Sequence, residues 1–326
     1  YAAEHGHADC LRVLHDLHAS LNDPARSGRT PASHAAANGH AGCLRVLHDL
    51  GASFSGHDMD VNAMPAHVAA LFGHAGCLRE LHQLDASLLS ATDPAGRTPA
   101  YSAAAAGHTN CLRELHDLGA NLSGRTDGVG DTPAHIAAFG GYPDCLRVLH
   151  DLGESVSDRD CDGMTPAHTA AEHGHLGCLC ALHNRGVSLS DRDIKGRTPA
   201  HRATELGHVD CLRVLHKLGV SLSDRDDGGE TPAQLAARLD HVDCLCALRE
   251  LGVIDRGDAG QTPARSDQTP PPPLAEAAAP TAMAADDLLR REQHDGVLRS
   301  AMDAGDLEAL RAAIASSDHA SPGVLA

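Results

Sequence analysis

The sequence predicts an all-α solenoid, in which short helix pairs stack on one another. A proline preceded by threonine, or once by methionine, recurs at positions 31, 65, 99, 133, 166, 199, 232 and 263. Cysteines keep the same period at positions 10, 43, 77, 111, 145, 178, 211 and 244. Aromatic residues make up only 2% of the chain, which suits thin layers of small helices. Because the prolines and the cysteines keep the same period, they indicate an internal repeat of about 33 residues.

The first half of each unit predicts a short helix. Thr165 is a residue type that caps helices, and Pro166 suits the first helical position, where its missing N–H costs nothing. Ala170 and Ala171 follow at mid-helix, where small side chains let neighbouring helices approach closely. Gly174 is the residue expected to end this helix.

The second half of each unit predicts another helix followed by a turn. Apolar residues recur there at helical spacing, as in Cys145, Leu146, Val148, Leu149 and Leu152. Gly153 is expected to stop this helix, and a stretch rich in Ser, Asp and Arg leads to the next Thr-Pro. Since one such helix pair cannot bury its own apolar face, it must stack on copies of itself.

The segments TPAHTAAEHGHLGC at 165–178 and TPAHIAAFGG at 132–141 resemble the ankyrin repeat, whose signature is T-P-L-H-x-A-A-x-x-G-H. The resemblance implies an ankyrin-repeat solenoid of helix-turn-helix units, with protruding turns or short β-hairpins between them. It also implies that the histidines of this signature hydrogen-bond the turns of the stack. Met64 replaces the capping threonine of the third copy, which puts that cap in doubt.

The domain organisation follows from the repeat. Residues 1–264 are predicted to be the ankyrin array, with a truncated copy at 1–29 and further copies starting near 30, 64, 98, 132, 165, 198 and 231. Residues 265–282 include four consecutive prolines and predict a semi-rigid linker. Residues 283–318 predict a short helical segment that resembles a divergent ankyrin-like helix pair, and 319–326 a disordered tail. Because the chain opens at Tyr1 inside a repeat, we expect its true N-terminus to lie upstream.

Charge and cysteine usage restrict the partners and the compartment. The net charge is −18 and no basic stripe forms, which argues against nucleic-acid binding. The excess of acid is expected either to aid solubility or to steer a partner with a basic surface. No apolar run reaches the ~18 residues that a membrane span needs. Most cysteines recur inside the repeat, so we expect reduced thiols and an intracellular location, cytoplasmic or nuclear. The array is expected to be monomeric.

The 25 histidines do not predict a metal site. They form repeating classes with one member per layer, and packed helix layers stand about 8–10 Å apart. That separation is too large for members of one class to share a zinc ion at ~2.0–2.1 Å per bond. Residues 158–163 match the start of a calcium loop, but Thr169 stands where the closing glutamate is required. The sequence therefore predicts no metal, no cofactor, no catalytic residue and no enzyme activity.

Candidate partner-binding residues come from the resemblance, which implies contacts through the concave helix face and the turn tips. These positions vary from copy to copy while the framework repeats. On the first helices they are Asn38, Leu71, Phe72, Phe139, Glu172, His173, Glu205, Leu206, Arg238 and Leu239. At the turn tips they are Arg97, Asp162, Met164, Ile194, Lys195, Arg197, Asp227 and Glu230.

These features predict a scaffold that recognises another protein without covalent chemistry. One alternative is the targeting arm of a larger enzyme, a kinase or a ubiquitin ligase, whose catalytic domain lies outside this sequence. A second alternative is a membrane-tethered adaptor with apolar spans elsewhere.

Overall fold

The structure, a computed structural model, describes residues 1–25, 28–54, 64–126 and 128–253. These residues form helix pairs in the predicted register. The helices are α1 Ala8–Asp16, α2 Pro31–Ala37, α3 Ala41–Asp49, α4 Pro65–Leu71, α5 Ala75–Leu84, α6 Pro99–Ala105, α7 Thr109–Asp117, α8 Pro133–Phe139, α9 Pro143–Asp151, α10 Pro166–Glu172, α11 Leu176–Asn184, α12 Pro199–Glu205, α13 Val209–Lys217, α14 Pro232–Arg238 and α15 Val242–Glu250. A short 3-10 helix, Ala86–Leu89, follows α5. The predicted linker, short helical segment and tail at 265–326 lie outside the described residues.

The first helix of each complete copy begins at the repeated proline, as predicted. In the second copy the hydroxyl of Thr30 accepts the Ser33 N–H at 3.2 Å, which satisfies one of the free donors at the helix start. Met64 makes no such cap at the start of α4, because a thioether side chain replaces the hydroxyl. The doubt that the sequence raised about this cap is confirmed.

The helices stack in two layers. The even-numbered helices α2 to α14 contact one another in sequence, and the odd-numbered helices α1 to α15 do the same. Between the layers, Ala170 and Ala171 of α10 and Leu179 and Leu182 of α11 are fully buried. The same pattern recurs in the neighbouring copies. The core is therefore one continuous layer of alanine, cysteine and leucine side chains between the two layers of helices. The predicted all-α solenoid is therefore confirmed.

The connections between copies are turns, and no described residue lies in a β-strand. Successive turns are joined by single backbone bonds: the Ile194 N–H donates to the Asp162 carbonyl at 3.0 Å, and the Asp227 N–H to the Lys195 carbonyl at 3.0 Å. One bond per pair of turns does not make a ladder. Of the two expected forms, the described part of the chain therefore has protruding turns.

The histidines that follow the first-helix glycine join neighbouring copies. His74 Nε2 hydrogen-bonds the Ala37 carbonyl at 2.9 Å, and His208 Nε2 bonds the Glu172 carbonyl at 2.8 Å. These acceptors lie at the ends of the preceding first helices, where carbonyls lack a partner within the helix. This class of histidine therefore bonds the last helical carbonyl before the turn of the preceding copy, which links neighbouring copies.

The glycine after the first helix of the second copy leaves room for a histidine ring of the third copy, so the cost of replacing a glycine by alanine should depend on its position. Gly39 and Gly51 share a φ of +77°, but a Cβ on Gly39 would lie 2.8 Å from His74 Nδ1, whereas a Cβ on Gly51 would meet nothing within 4 Å. Left-handed backbone alone costs alanine about 1–2 kcal/mol. We expect Gly51→Ala to show only that loss and Gly39→Ala at least about 1 kcal/mol more, since its neighbour must move. Urea unfolding measures both; equal losses would contradict the contact.

The cysteines are unpaired thiols whose burial differs by position. Cys10, Cys161 and Cys246 are exposed, Cys180 is partly exposed, and the other seven are buried. Burial raises the pKa of the Cys145 thiol to about 12, and neighbouring Asp144 adds to this. A buried thiol that resists ionisation is a poor nucleophile.

We therefore expect thiol titration with Ellman's reagent to show three fast thiols in the native protein and all 11 in denaturant. A native protein in which the buried thiols react as fast as the exposed ones would contradict the packing. Cys161→Ser should remove one fast thiol and leave the slow ones unchanged.

Candidate binding surface

The predicted partner-binding residues all lie at the surface, exposed or partly exposed. They occupy the C-terminal ends of the even-numbered helices and the tips of the turns, which the core does not cover. We call this surface the first-helix face. Its largest exposed apolar side chains are Phe72 at 43%, Phe139 at 52%, Leu206 at 52% and Ile194 at 62% exposure.

The first-helix face is apolar around the two phenylalanines. The Phe139 ring packs against the His173 ring with centroids 4.4 Å apart, so one face of the phenylalanine is supported while the rest is open. The Arg29 guanidinium lies 5.7 Å from the centroid of the Phe72 ring. Supported aromatic side chains with an open face are typical anchors at protein interfaces.

The sixth and seventh copies place a network of charges on the first-helix face, centred on Arg202. Its Nη2 donates to Asp193 Oδ2 at 2.9 Å. Its Nη1 lies 3.9 Å from Glu172 Oε2 and 3.7 Å from Glu205 Oε2. The Met164 sulfur lies 3.2 Å from Nη2. Three of the predicted residues, Met164, Glu172 and Glu205, are thus brought together by a residue that the sequence analysis did not select.

Asp193 anchors this network from below the surface. Its side chain is completely buried, and Arg197 donates to it at 3.0 Å from the same turn. Burial alone would raise the pKa of Asp193, but backbone N–H bonds from Arg197 and Lys195, with the charges of Arg197 and Arg202, hold that pKa below its usual value. The carboxylate therefore stays ionised between two guanidinium groups.

The other arginines predicted on this face are also paired within the chain. Arg97 donates to Asp93 at 2.6 Å. Arg238 forms a two-point contact with Glu230, with Nε at 2.9 Å and Nη2 at 2.9 Å from the carboxylate oxygens. The guanidinium charges of these side chains are accordingly neutralised before any partner arrives.

A cavity of about 440 Å³ opens on the first-helix face between the turns of the sixth and seventh copies. Six of the predicted residues line it: Ile194, Lys195, Arg197, Glu205, Asp227 and Arg238. Asp226, Gly228 and Leu235 complete the wall and were not predicted. Phe72 and Phe139 belong to other copies and do not contribute to it.

The histidines of the T-P-A-H signature connect each helix start to the next turn. His168 Nδ1 accepts the Thr165 N–H at 3.1 Å, and its Nε2 bonds the Arg197 carbonyl at 3.0 Å. His201 makes the same pair of bonds, its Nε2 reaching the Glu230 carbonyl at 3.0 Å. The ring that caps one helix therefore also fixes the turn that leads to the following copy, as the resemblance implied.

Arginines before each turn form a second set of links that the sequence analysis did not identify. Arg125 donates to the Arg159 carbonyl at 2.7 Å, Arg159 donates to the Arg192 carbonyl, and Arg192 to the Arg225 carbonyl. Their spacing of 33 or 34 residues was the sequence signal that could have identified them.

A different sequence signal marks Arg202. No other copy has an arginine at this position, which holds His34 in the second copy and a small or apolar residue in the other complete copies.

Among the described residues, one group of three side chains of types that can ligate a metal ion lies close together. Single ligand atoms of Asp131, His135 and Asp160 all lie within 4.8 Å of one another. However, His135 Nδ1 already accepts the Thr132 N–H at 3.2 Å, and its Nε2 bonds the Met164 carbonyl at 3.1 Å. A metal would have to break one of these bonds. The second-helix histidines form no such group in the described part of the chain, and the absence of a metal site stays a prediction.

The stacked helix pairs and the open, variable face define the class of the protein as a repeat scaffold. A family model described as ankyrin repeats in three copies matches residues 116–193 and 182–258, and one described as ankyrin repeats in many copies matches residues 1–48. The chain belongs to the ankyrin-repeat family. A comparison with curated proteins found no significant match. Ankyrin repeats generally mediate protein–protein interaction, and proteins built from them are typically not enzymes.

The described helices are short compared with a membrane span. Within residues 1–253, apart from the gaps given above, none is both long enough and apolar enough to cross a bilayer.

Proposed function

We propose that this protein is a scaffold that binds a partner protein through the first-helix face, including its turn tips, and that this face is the concave face of the array. The observation that supports the proposal is that every predicted residue is exposed or partly exposed, with aromatic side chains at Phe72 and Phe139 that contact Arg29 and His173. These large apolar side chains stay in water although the core beside them is fully packed. Desolvating them on binding is favourable, because each carries a large apolar area.

A capture experiment with two matched variants tests this proposal. Phe72→Ala/Phe139→Ala removes the aromatic anchors, and Leu17→Ala/Val242→Ala removes two exposed apolar side chains that lie outside the first-helix face. We expect a partner retained by the wild type and by the control pair to be lost from the phenylalanine pair, with at least about a tenfold decrease in affinity. Undiminished binding of that partner by the phenylalanine pair would contradict the proposal.

We also propose an intracellular site of action and a monomeric array. The support is that all cysteines are free thiols, most of them in the core, a state that a reducing compartment maintains. The targeting-arm alternative uses the same face for substrate recognition, so a partner that is modified after binding to a longer form of the protein would favour it.

A further inference from the structure

We propose that the cavity between the turns of the sixth and seventh copies is a docking site for a basic side chain of the partner, an arginine or lysine with its aliphatic stem. This inference rests on the proposed function and adds the chemistry of the partner to it. Four features of the cavity support it: its volume, its apolar wall, the ion pairs that already hold its arginines, and the incomplete pairing of its carboxylates.

The cavity has room for a side chain and an apolar wall to receive its stem. Its volume of about 440 Å³ lies within the range of roughly 300–1,000 Å³ that ligand pockets occupy. Ile194 reaches over one side and is 62% exposed, while Leu235 forms the floor and is 4% exposed. Lysine and arginine stems pack favourably along such surfaces while their charged heads reach polar groups.

The arginines of the wall are not available to an acidic partner. Arg197 is held by Asp193 at 3.0 Å and by Glu205 at 3.0 Å, and its side chain is only 13% exposed. Arg238 is held by Glu230 at 2.9 Å. Recruiting either guanidinium to a carboxylate of the partner would break an existing pair and leave a poorly solvated carboxylate behind, which is costly.

The carboxylates of the wall are less fully satisfied. Asp227 is exposed, and its carboxylate has no hydrogen bond or ion pair among the described residues. Asp226 Oδ1 accepts the Glu230 N–H at 2.9 Å, but the Asp226 carboxylate forms no ion pair with any described residue. The wall and the residues that form ion pairs with it, or with those partners, contain six carboxylates and four cations, a net charge of −2. The carboxylates are Glu172, Asp193, Glu205, Asp226, Asp227 and Glu230, and the cations are Lys195, Arg197, Arg202 and Arg238. The excess over the wall and its paired neighbours is negative, and Asp226 and Asp227 are themselves lining residues, which complements a cationic side chain.

A metal ion is a weaker candidate for the same place. Asp226 and Asp227 belong to no group of three ligand atoms within 4.8 Å among the described residues. A basic side chain needs only hydrogen-bond contact with these carboxylates and also uses the apolar wall.

The test is selection of peptides from a random dodecapeptide phage library on the full chain, followed by affinity measurements with synthetic peptides. The test variant is Asp226→Asn/Asp227→Asn, in which the side-chain amide introduced at position 226 keeps an oxygen that can accept the Glu230 N–H. The control is Asp49→Asn/Asp117→Asn, which removes the same charge from exposed positions of α3 and α7. Matched urea midpoints confirm that the variants are folded.

We expect the selected peptides to contain arginine or lysine beside apolar residues, to bind the test variant at least about tenfold more weakly, and to bind the control like the wild type. Acidic peptides, or basic peptides that bind the test variant as tightly as the wild type, would overturn the inference. Peptides that lose affinity for Phe72→Ala/Phe139→Ala but not for the test variant would overturn it while supporting the proposed function.

Discussion

Replacing Asp193 by alanine is expected to lower the free energy of unfolding by about 3–5 kcal/mol, because removal of one partner leaves buried charge without compensation. The carboxylate accepts the Arg197 N–H at 2.9 Å, Arg197 Nε at 3.0 Å and Arg202 Nη2 at 2.9 Å. The two guanidinium side chains are only 13% and 12% exposed, so water cannot replace the lost acceptor. Urea unfolding followed by circular dichroism measures the loss.

The third copy supplies the matched control. Asp93 occupies the same place in its turn and accepts the Arg97 N–H at 2.9 Å and Arg97 Nε at 2.6 Å. Its single arginine is 40% exposed and can be solvated. Asp93→Ala should therefore cost roughly half as much as Asp193→Ala, in the range of about 1.5–2.5 kcal/mol. Equal losses at the two positions would contradict the role assigned to Arg202.

A double-mutant cycle isolates the Arg202 contribution. Arg202→Ser introduces the residue that the fourth copy has at this position, Ser102. In the Asp193→Ala background this second change should restore part of the lost stability, since it removes one uncompensated charge. We expect a coupling energy of about 1–3 kcal/mol between Asp193 and Arg202. Strict additivity would mean that the two side chains do not act as a pair.

The helix register was predictable from the sequence because its signals are local. Proline can begin a helix and glycine with positive φ can end one without help from distant residues, and both recur along the array. The same reasoning predicted that Met64 fails as a cap. The surface placement of the partner-binding positions followed as well, since a residue just before the terminal glycine of a first helix lies outside the core.

The charge network was not predictable in the same way, because its contacts cross copies. Arg202 meets Met164, 38 residues earlier, and also Asp193 in the preceding turn. Nothing local distinguishes an arginine that points into a groove from one that points into water. Arg197 shows the consequence: it was predicted as a partner-binding residue, yet most of its side chain is buried in ion pairs. Its neighbour Ile194, also predicted, is open.

The second large effect is expected from acid, through the buried histidines that join the copies. Burial lowers the pKa of His168 to about 4, although its bond to the Arg197 carbonyl and the charge of Asp193 oppose the shift. Burial likewise lowers the pKa of His201. An unfolded histidine has a pKa of about 6.5, so the unfolded chain binds protons more readily than the folded one below that pH. Stability is therefore fully present above about pH 6.5 and is lost as the pH falls towards 4.

For His168 alone, a difference between 6.5 and about 4 corresponds to a loss of up to about 3 kcal/mol across that window. The eighth copy shows how to remove the titration while keeping the cap, because Gln234 stands at the equivalent position and its Oε1 accepts the Thr231 N–H at 3.0 Å. His168→Gln should lose about 1 kcal/mol at pH 7.5, where the bond to the next turn is missing. It should lose less stability than the wild type as the pH is lowered.

Urea unfolding at a series of pH values from 4.5 to 7.5 separates this histidine from the exposed ones. His216→Gln removes an exposed ring at the end of α13 and serves as the control. The wild type should be the more stable protein at pH 7.5, and the two curves should cross as the pH falls, because the penalty of keeping His168 neutral acts only on the wild type and exceeds the loss of about 1 kcal/mol caused by the substitution. Asp193 does not confuse this result, since its pKa is held below its usual value and its contribution disappears only at lower pH. If the two curves ran parallel, His168 would not be the group that makes the array sensitive to acid.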